Sequence, residues 1–337
     1  MINRKTVFIL GAGASRNLDF EVGNELVSKI IKDLADENSN LFRNVVSLHG
    51  NAREVRTFHE DIISARPPTI DLFLSDKSDE FTRIGKMCIA QILIPHEKPE
   101  KLKPLDEKHW YNHLLGKIYA TTPEKFKKNN ITFLTFNYDR SLEQFFCNTF
   151  KGMFGFTEQE VVEQFTELVK IIHIYGQLGD FLPGENRREY LPKANETDFH
   201  KCVDSIKLMH EVGDSEHLRD AQQLIQEAEV VCFLGFGYHQ SNLDQLFSGI
   251  NWPDFHASIY GSAMGIDEGY RGEIYYYFMR DTKEHTLIRP KITPKILGLG
   301  GIDDNILDFF NKNSVLTDKD NDDVFKHIIN PSTRPFS

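Results

Sequence analysis

The strongest constraint lies at the start of the chain. Phe8-Ile9-Leu10 closes a short apolar run at residues 6–10, and Gly11-Ala12-Gly13-Ala14-Ser15 follows at once. A buried strand that ends in Gly-x-Gly and leads into a helix is the opening of a nucleotide-binding α/β sheet. The first glycine permits a tight turn and the second lets backbone approach a pyrophosphate. Unpaired N–H groups at the next helix start then favour an anion. Ser15 adds a hydroxyl donor. The dinucleotide fingerprint asks for a third glycine, and Arg16 stands in its place. A tight turn without a ligand is the lesser alternative, and the position of the glycines directly behind an apolar first strand strengthens the nucleotide reading.

Four further apolar runs, rich in β-branched and aromatic residues, cover residues 131–136, 170–175, 230–236 and 257–262. Near-continuous apolar runs of this length suit parallel strands covered on both faces. Segments with helical spacing separate most of them, at 22–34, 142–150, 158–169 and 218–228. Strand and helix in alternation predict a doubly wound, parallel, Rossmann-like α/β sheet with right-handed crossovers. The first gap is different. About 120 residues separate the first two strands, where a crossover needs roughly a dozen. Residues 35–128 are therefore read as a helical insertion, with helices at 41–47, 55–65, 81–94 and 110–119. It is either a lid over a nucleotide site or a packing or oligomerisation layer. Residues 1–34 and 129–316 form the expected Rossmann-like domain, and 317–337 a flexible acidic tail. The Gly- and Pro-rich stretch 179–195 follows the third strand and is expected at the sheet's carboxyl edge.

Composition excludes several classes. With 39 basic and 50 acidic residues the net charge is −11, which repels phosphate backbones, so no stable nucleic-acid binding is expected. Cys88, Cys147, Cys202 and Cys232 are not paired at Cys-x-x-Cys spacing, which argues against a structural zinc module, and no metal is expected. No apolar run reaches the roughly 18 residues of a membrane span. The basic Met1–Lys5, the apolar run behind it and Ala12-Gly13-Ala14 outline a secretory signal. The apolar stretch is short for that task, and a buried strand explains the same residues. A cytoplasmic protein is expected.

The strand ends carry the chemistry. Thr135-Phe136-Asn137-Tyr138-Asp139 brings Asn137 and Asp139 to the carboxyl edge, although Asp139 could simply cap the next helix and Asn137 hold a turn. His173 ends the third strand, where an imidazole can act as a base; a lone histidine there is more often structural. Gly235 and Gly237 end the fourth strand and Ser262 follows the fifth. All five strands thus deliver glycine or polar residues to one rim.

This ordered set resembles the sirtuin-like NAD-hydrolysing domains of bacterial antiphage defence. It comprises Gly-Ala-Gly-Ala-Ser, Thr-Phe-Asn-Tyr-Asp, an apolar strand ending in Tyr175-Gly176, and Phe-Leu-Gly-Phe-Gly, over roughly residues 5–265. The resemblance implies a nucleotide site at Gly11, Ala12, Gly13, Ser15, Gly176, Gly235, Gly237 and Ser262. It implies catalysis by Asn137, Asp139 and a histidine on the third strand. The family pattern has histidine immediately before the glycine; here Tyr175 holds that position and His173 lies two residues earlier. In an extended strand the two side chains face the same way, so His173 and Tyr175 are alternative occupants of the role.

The implied reaction is NAD+ glycohydrolysis, releasing nicotinamide and ADP-ribose, with NAD+ as substrate and NAD depletion as the defence. Nicotinamide leaves a pyridinium as a neutral molecule, so no strong general acid is needed. The site must hold the ribose, stabilise oxocarbenium-like charge and admit water. Asn137 would position the carboxamide or the water, Asp139 would orient the ribose, and His173 would accept a proton. The resemblance also implies a homo-oligomer or pairing with a partner ATPase or sensor. The alternatives are a non-catalytic NAD-binding sensor or regulatory subunit and, behind it, a protein deacylase, which the missing zinc module disfavours. A dehydrogenase would want an acidic residue about 20 positions after the glycines; Lys32-Asp33 falls there, but inside a predicted helix.

Overall fold

Thr6–Leu10 (β1) is buried along its whole length and is paired on both sides. The computed structural model describes residues 1–103, 109–213, 215–279, 296–313 and 315–316. In register, Thr6 faces Ile131 of β2 (Ile131–Thr135) on one side and Val230 of β4 (Val230–Leu234) on the other. Beyond them lie β3 (Lys170–His173), β5 (Ser258–Gly261) and β6 (Ile296–Leu299). The sheet is six-stranded and all parallel, in the order β3-β2-β1-β4-β5-β6. This is the doubly wound α/β architecture, in which the chain leaves β1 toward one edge and returns at β4 toward the other. The crevice between those two strands, at their carboxyl ends, is the switch point where such sheets bind ligands.

Burial explains the pattern. Every residue of β1 and β4 is buried, as both faces are covered, whereas Lys170 at the β3 edge is exposed. Helices bury one stripe each. Gly23–Leu34 turns in Leu26, Val27, Ile30 and Leu34. Its start is later than a direct strand-to-helix turn would give, because a 3-10 helix, Ala12–Leu18, intervenes. Side-chain caps set the starts of several others, with Ser39, Asn51, Ser78 and Thr157 each accepting a backbone N–H.

Between Gly23–Leu34 and β2 run the helices Asn40–His49, Ala52–Ala65, Ile70–Leu74, Asp79–Leu93, Trp110–Ile118 and Pro123–Phe126. They are not a detached layer. Val45, Val55, Phe58 and Ile89 belong to the same buried cluster as the sheet residues Phe8 and Phe133. Asp79–Leu93 packs on Glu196–Ser205, and Trp110–Ile118 on Ile306–Lys312. The indole N–H of Trp110 donates to the carbonyl of Ala14 at 2.9 Å, pinning the loop behind β1. The tail expected at 317–337 lies outside the described residues.

Two features depart from the sequence reading. β6 was not anticipated. β1 matches its apolar run, whereas β2, β3 and β4 end one to two residues earlier than theirs, because Phe136, Tyr175 and Phe236 turn out of the sheet. They meet as a ring cluster, with Phe136 5.1 Å from Tyr175 and 5.2 Å from Phe236 between centroids.

Candidate functional site

That ring cluster helps to line a cavity of about 1010 Å³ at the carboxyl ends of β1, β2 and β4. The volume is at the top of the range of small-molecule and cofactor sites. Gly11, Ala12, Gly13, Asn137, Asp139, Tyr175, Gly235, Gly237 and Ser262 all line it. Ser15, His173 and Gly176 do not.

The glycines have a different task from the one expected. Gly11 and Gly13 lie against the Gly235 turn so closely that a Cβ would come within 2.6 Å and 2.9 Å of the Gly235 carbonyl oxygen. A Cβ on Gly235, whose φ is 57°, would stand 2.1 Å from the Ala14 nitrogen. The Gly11 N–H donates to Leu234, the Gly13 N–H to Gly235 and the Ala14 N–H to Gly11. These three amides are therefore committed within the protein, and the second glycine makes room for another loop rather than for a pyrophosphate. Gly176 is likewise structural: its φ is 68°, and a Cβ would meet the Ser205 carbonyl at 1.9 Å. Ser262 positions the rim, its hydroxyl accepting the Gly235 N–H at 2.8 Å.

Behind the glycines runs a buried polar chain. The Asn137 Nδ2 donates to the Ser15 hydroxyl at 3.1 Å, and that hydroxyl bonds to Asp139. Asp139 also accepts the Ser141 hydroxyl, and the Ser141 N–H at 3.1 Å, which ties its carboxyl to the first residue of Ser141–Phe154 from just before the N-cap, Arg140. The Ser141 hydroxyl lies 3.1 Å from that of Tyr111. Burial pushes the Asp139 carboxyl above its ordinary range, against the opposing bonds from Ser141 and Ser15. A serine hydroxyl that donates to a carboxylate must accept from its other neighbour, so the Asn137 amide turns its Nδ2 to Ser15. Its Oδ1 is left buried without a partner among the described residues, on a side chain only 8% exposed. A buried orphan acceptor costs roughly 1–3 kcal/mol. Such groups are rare in folded proteins and stand out at sites that receive a ligand.

His173 is not on the cavity. Its Nδ1 is 2.9 Å from the Asn137 carbonyl and its Nε2 is 2.6 Å from a carboxylate oxygen of Glu143. Burial pulls this imidazole down, but the charge and hydrogen bond of Glu143, with the Asn137 carbonyl, outweigh it and hold the ring above its ordinary value. An imidazole flanked by two acceptors is a protonated strut, not a base facing substrate. The expectation that His173 and Tyr175 share a face fails because the strand stops at His173 and the chain turns at Ile174. Tyr175 reaches the cavity wall. Its hydroxyl is turned to Asn242 (2.7 Å) and Gln245 (3.0 Å), and burial pushes its pKa well up, which removes it as a base.

The start of Ser141–Phe154 is held by a buried charge cluster. Arg140 grips Glu97 through Nε (2.9 Å) and a terminal nitrogen (2.5 Å), and Arg188 bonds the same carboxylate. Arg140 also donates to the Arg188 carbonyl at 2.7 Å, tying the loop after β3 to the rim.

Residues absent from the sequence reading complete the cavity. Asp71, from Ile70–Leu74 in the insertion, lines it and accepts the Tyr138 hydroxyl. Burial, the largest influence, raises its pKa. His239 lines the cavity as well, and burial lowers its pKa. Tyr138 lies inside the Asn-Tyr-Asp motif and was within reach of sequence reasoning. Asp71 follows a capping Thr69 in a helix's first turn, where an acid is ordinary.

No model of a known family matches the chain, and no curated protein matches it significantly. Among the described residues no group of three or more His, Cys, Asp or Glu could hold a metal ion, and no helix is long and apolar enough to cross a membrane.

Proposed function

We propose that the cavity binds NAD+ as a substrate and hydrolyses its bond between nicotinamide and ribose. The observation that carries the reading is the Asn137 Oδ1, a buried acceptor without a partner at the switch point of a doubly wound sheet. A bound water or substrate group would supply the donor it lacks. In the reaction the C–N bond breaks and its electron pair leaves with nicotinamide, which becomes neutral. Water adds to the ribose carbon, and its proton passes to a cavity carboxylate or to solvent. The Asp139 chain keeps the Asn137 amide in one orientation. The carboxylates of the cavity favour the positive charge that grows on the sugar.

The resemblance to the sirtuin-like defence domains supports the rest of the reading: depletion of NAD+ during phage infection, by a cytoplasmic homo-oligomer or with a partner ATPase or sensor. Nicotinamide release from NAD+ by the purified protein tests the chemistry, and an Asn137→Ala protein that released it at the wild-type rate would overturn the assignment. A second reading, a sensor that binds NAD+ without cleaving it, is favoured by the sealed position of His173. Retention of intact NAD+ with no free nicotinamide selects it.

A further inference from the structure

We propose that Tyr111, in the first turn of the insertion helix Trp110–Ile118, is a positioning residue for Asn137 and acts on it through Ser141, Asp139 and Ser15. The proposal rests on the reading above, in which Asn137 works on the bound dinucleotide. Tyr111 does not itself line the cavity. It is buried, and its hydroxyl lies 3.1 Å from that of Ser141. The Ser141 hydroxyl spends its one proton on Asp139, so toward Tyr111 it can only accept. On the other side Ser15 donates to Asp139 and accepts the Asn137 Nδ2 at 3.1 Å. Every donor in the chain therefore points toward one carboxylate. That polarity decides which end of the Asn137 amide meets Ser15. It leaves Oδ1 as the end without a partner among the described residues.

The polarity depends on an ionised Asp139. A protonated Asp139 would donate to one of the two serines and reverse that arm of the chain. Burial works toward the protonated form and so does the charge of Glu97, while the bonds from Ser141 and Ser15 oppose them. The other titratable groups that feel the Asp139 charge are His173 on β3, Tyr190 in the loop after β3, and Tyr111 itself. Tyr111 favours the ionised form, because the bond it donates polarises the Ser141 hydroxyl toward Asp139. The residue beside it holds the other arm. The Trp110 indole donates at 2.9 Å to the carbonyl of Ala14, directly before Ser15, and the Trp110 and Tyr111 rings meet edge to face at 4.5 Å between centroids. Two consecutive aromatic residues of the insertion thus brace both ends of the chain that sets Asn137.

The test is a double-mutant cycle on nicotinamide release from NAD+. Wild type, Tyr111→Phe, Ser141→Ala and the double variant are compared in kcat, KM and pH profile, with thermal melting as the folding control. Tyr111→Phe keeps the ring and loses only the hydroxyl. Its kcat falls about three- to tenfold, the worth of one hydrogen bond, and KM is unchanged because Tyr111 touches no substrate. Activity that needs the ionised Asp139 is present above its folded pKa, which already lies above the ordinary value, and is lost as pH falls through it. Without the Tyr111 bond that acid limb moves to higher pH. In the Ser141→Ala background the same substitution adds nothing. An equal loss in both backgrounds, or a folded Tyr111→Phe with wild-type kcat and profile, overturns the proposal and leaves the dinucleotide reading standing. Should Tyr111→Phe misfold, Ser141→Ala alone must show the shifted limb at unchanged KM, and a wild-type profile there overturns the relay. Wild type that releases no nicotinamide overturns both.

Discussion

Glu143 holds the Nε2 of His173 at 2.6 Å while the Asn137 carbonyl takes the Nδ1 at 2.9 Å, so the histidine of the third strand braces the motif loop from behind. Replacing it with alanine strands a buried carboxylate, at a cost of about 3–5 kcal/mol. We expect His173→Ala to melt well below wild type by calorimetry, yet to release nicotinamide, per folded molecule, within a few-fold of wild type. A stable but inactive variant would restore His173 to catalysis.

The same pair predicts a pH dependence. The folded imidazole titrates above its ordinary value of 6.5, so its contribution to stability is complete below that value. It is lost as the pH rises through the raised, folded value. Melting temperature should therefore decline from mildly acidic to mildly alkaline pH. Glu143→Gln should flatten that part of the curve, and a Glu143→Gln curve parallel to wild type would exclude the pair as its origin.

Asn137 should separate stability from activity. Asn137→Ala removes the orphan Oδ1 together with a bond to Ser15, two terms of about 1 kcal/mol or more that oppose each other. We expect an unchanged or slightly higher melting temperature and a loss of nicotinamide release of about a hundredfold.

The rim glycines should differ sharply. Gly235→Ala drives a Cβ into the Ala14 backbone from a φ of 57°, and should cost at least about 3 kcal/mol. Gly237→Ala meets only the His239 ring, at 3.3 Å, and should fold normally. Denaturant titration of the two proteins decides this.

Arg140 and Arg188 share the Glu97 carboxylate as their counter-charge inside the protein. Glu97→Gln leaves two buried guanidinium groups without their counter-charge and should cost about 3–5 kcal/mol. The strand-to-helix loop after β3 should then become the first site of limited proteolysis.

The sheet was legible in the sequence because its central strands are buried on both faces, which makes their apolar runs continuous. β6 was not. It has four residues, one of them Gly298, and among the described strands it pairs only with β5 at the edge. Asn137 and Asp139 were legible as motif residues at a strand end. His173 was misplaced because alternation along a strand says nothing once the strand stops. The loop glycines were found, but their reason was not: a Cβ clash with Gly235 is a contact between distant segments, and only the folded chain displays it. Asp71 was hidden for the same reason, as nothing local ties an insertion helix to the end of β2.

The central position of β1 has a consequence for how the molecule comes into being. Its five residues are synthesised long before their partners, Ile131–Thr135 and Val230–Leu234. The strand at the heart of the sheet must wait through most of synthesis for both neighbours. Until β4 arrives, Gly11 and Gly13 have no Gly235 to lock against, and the rim of the cavity does not exist. The crevice at the switch point is thus among the last parts of the sheet to be completed, and any ligand it takes must wait for β4.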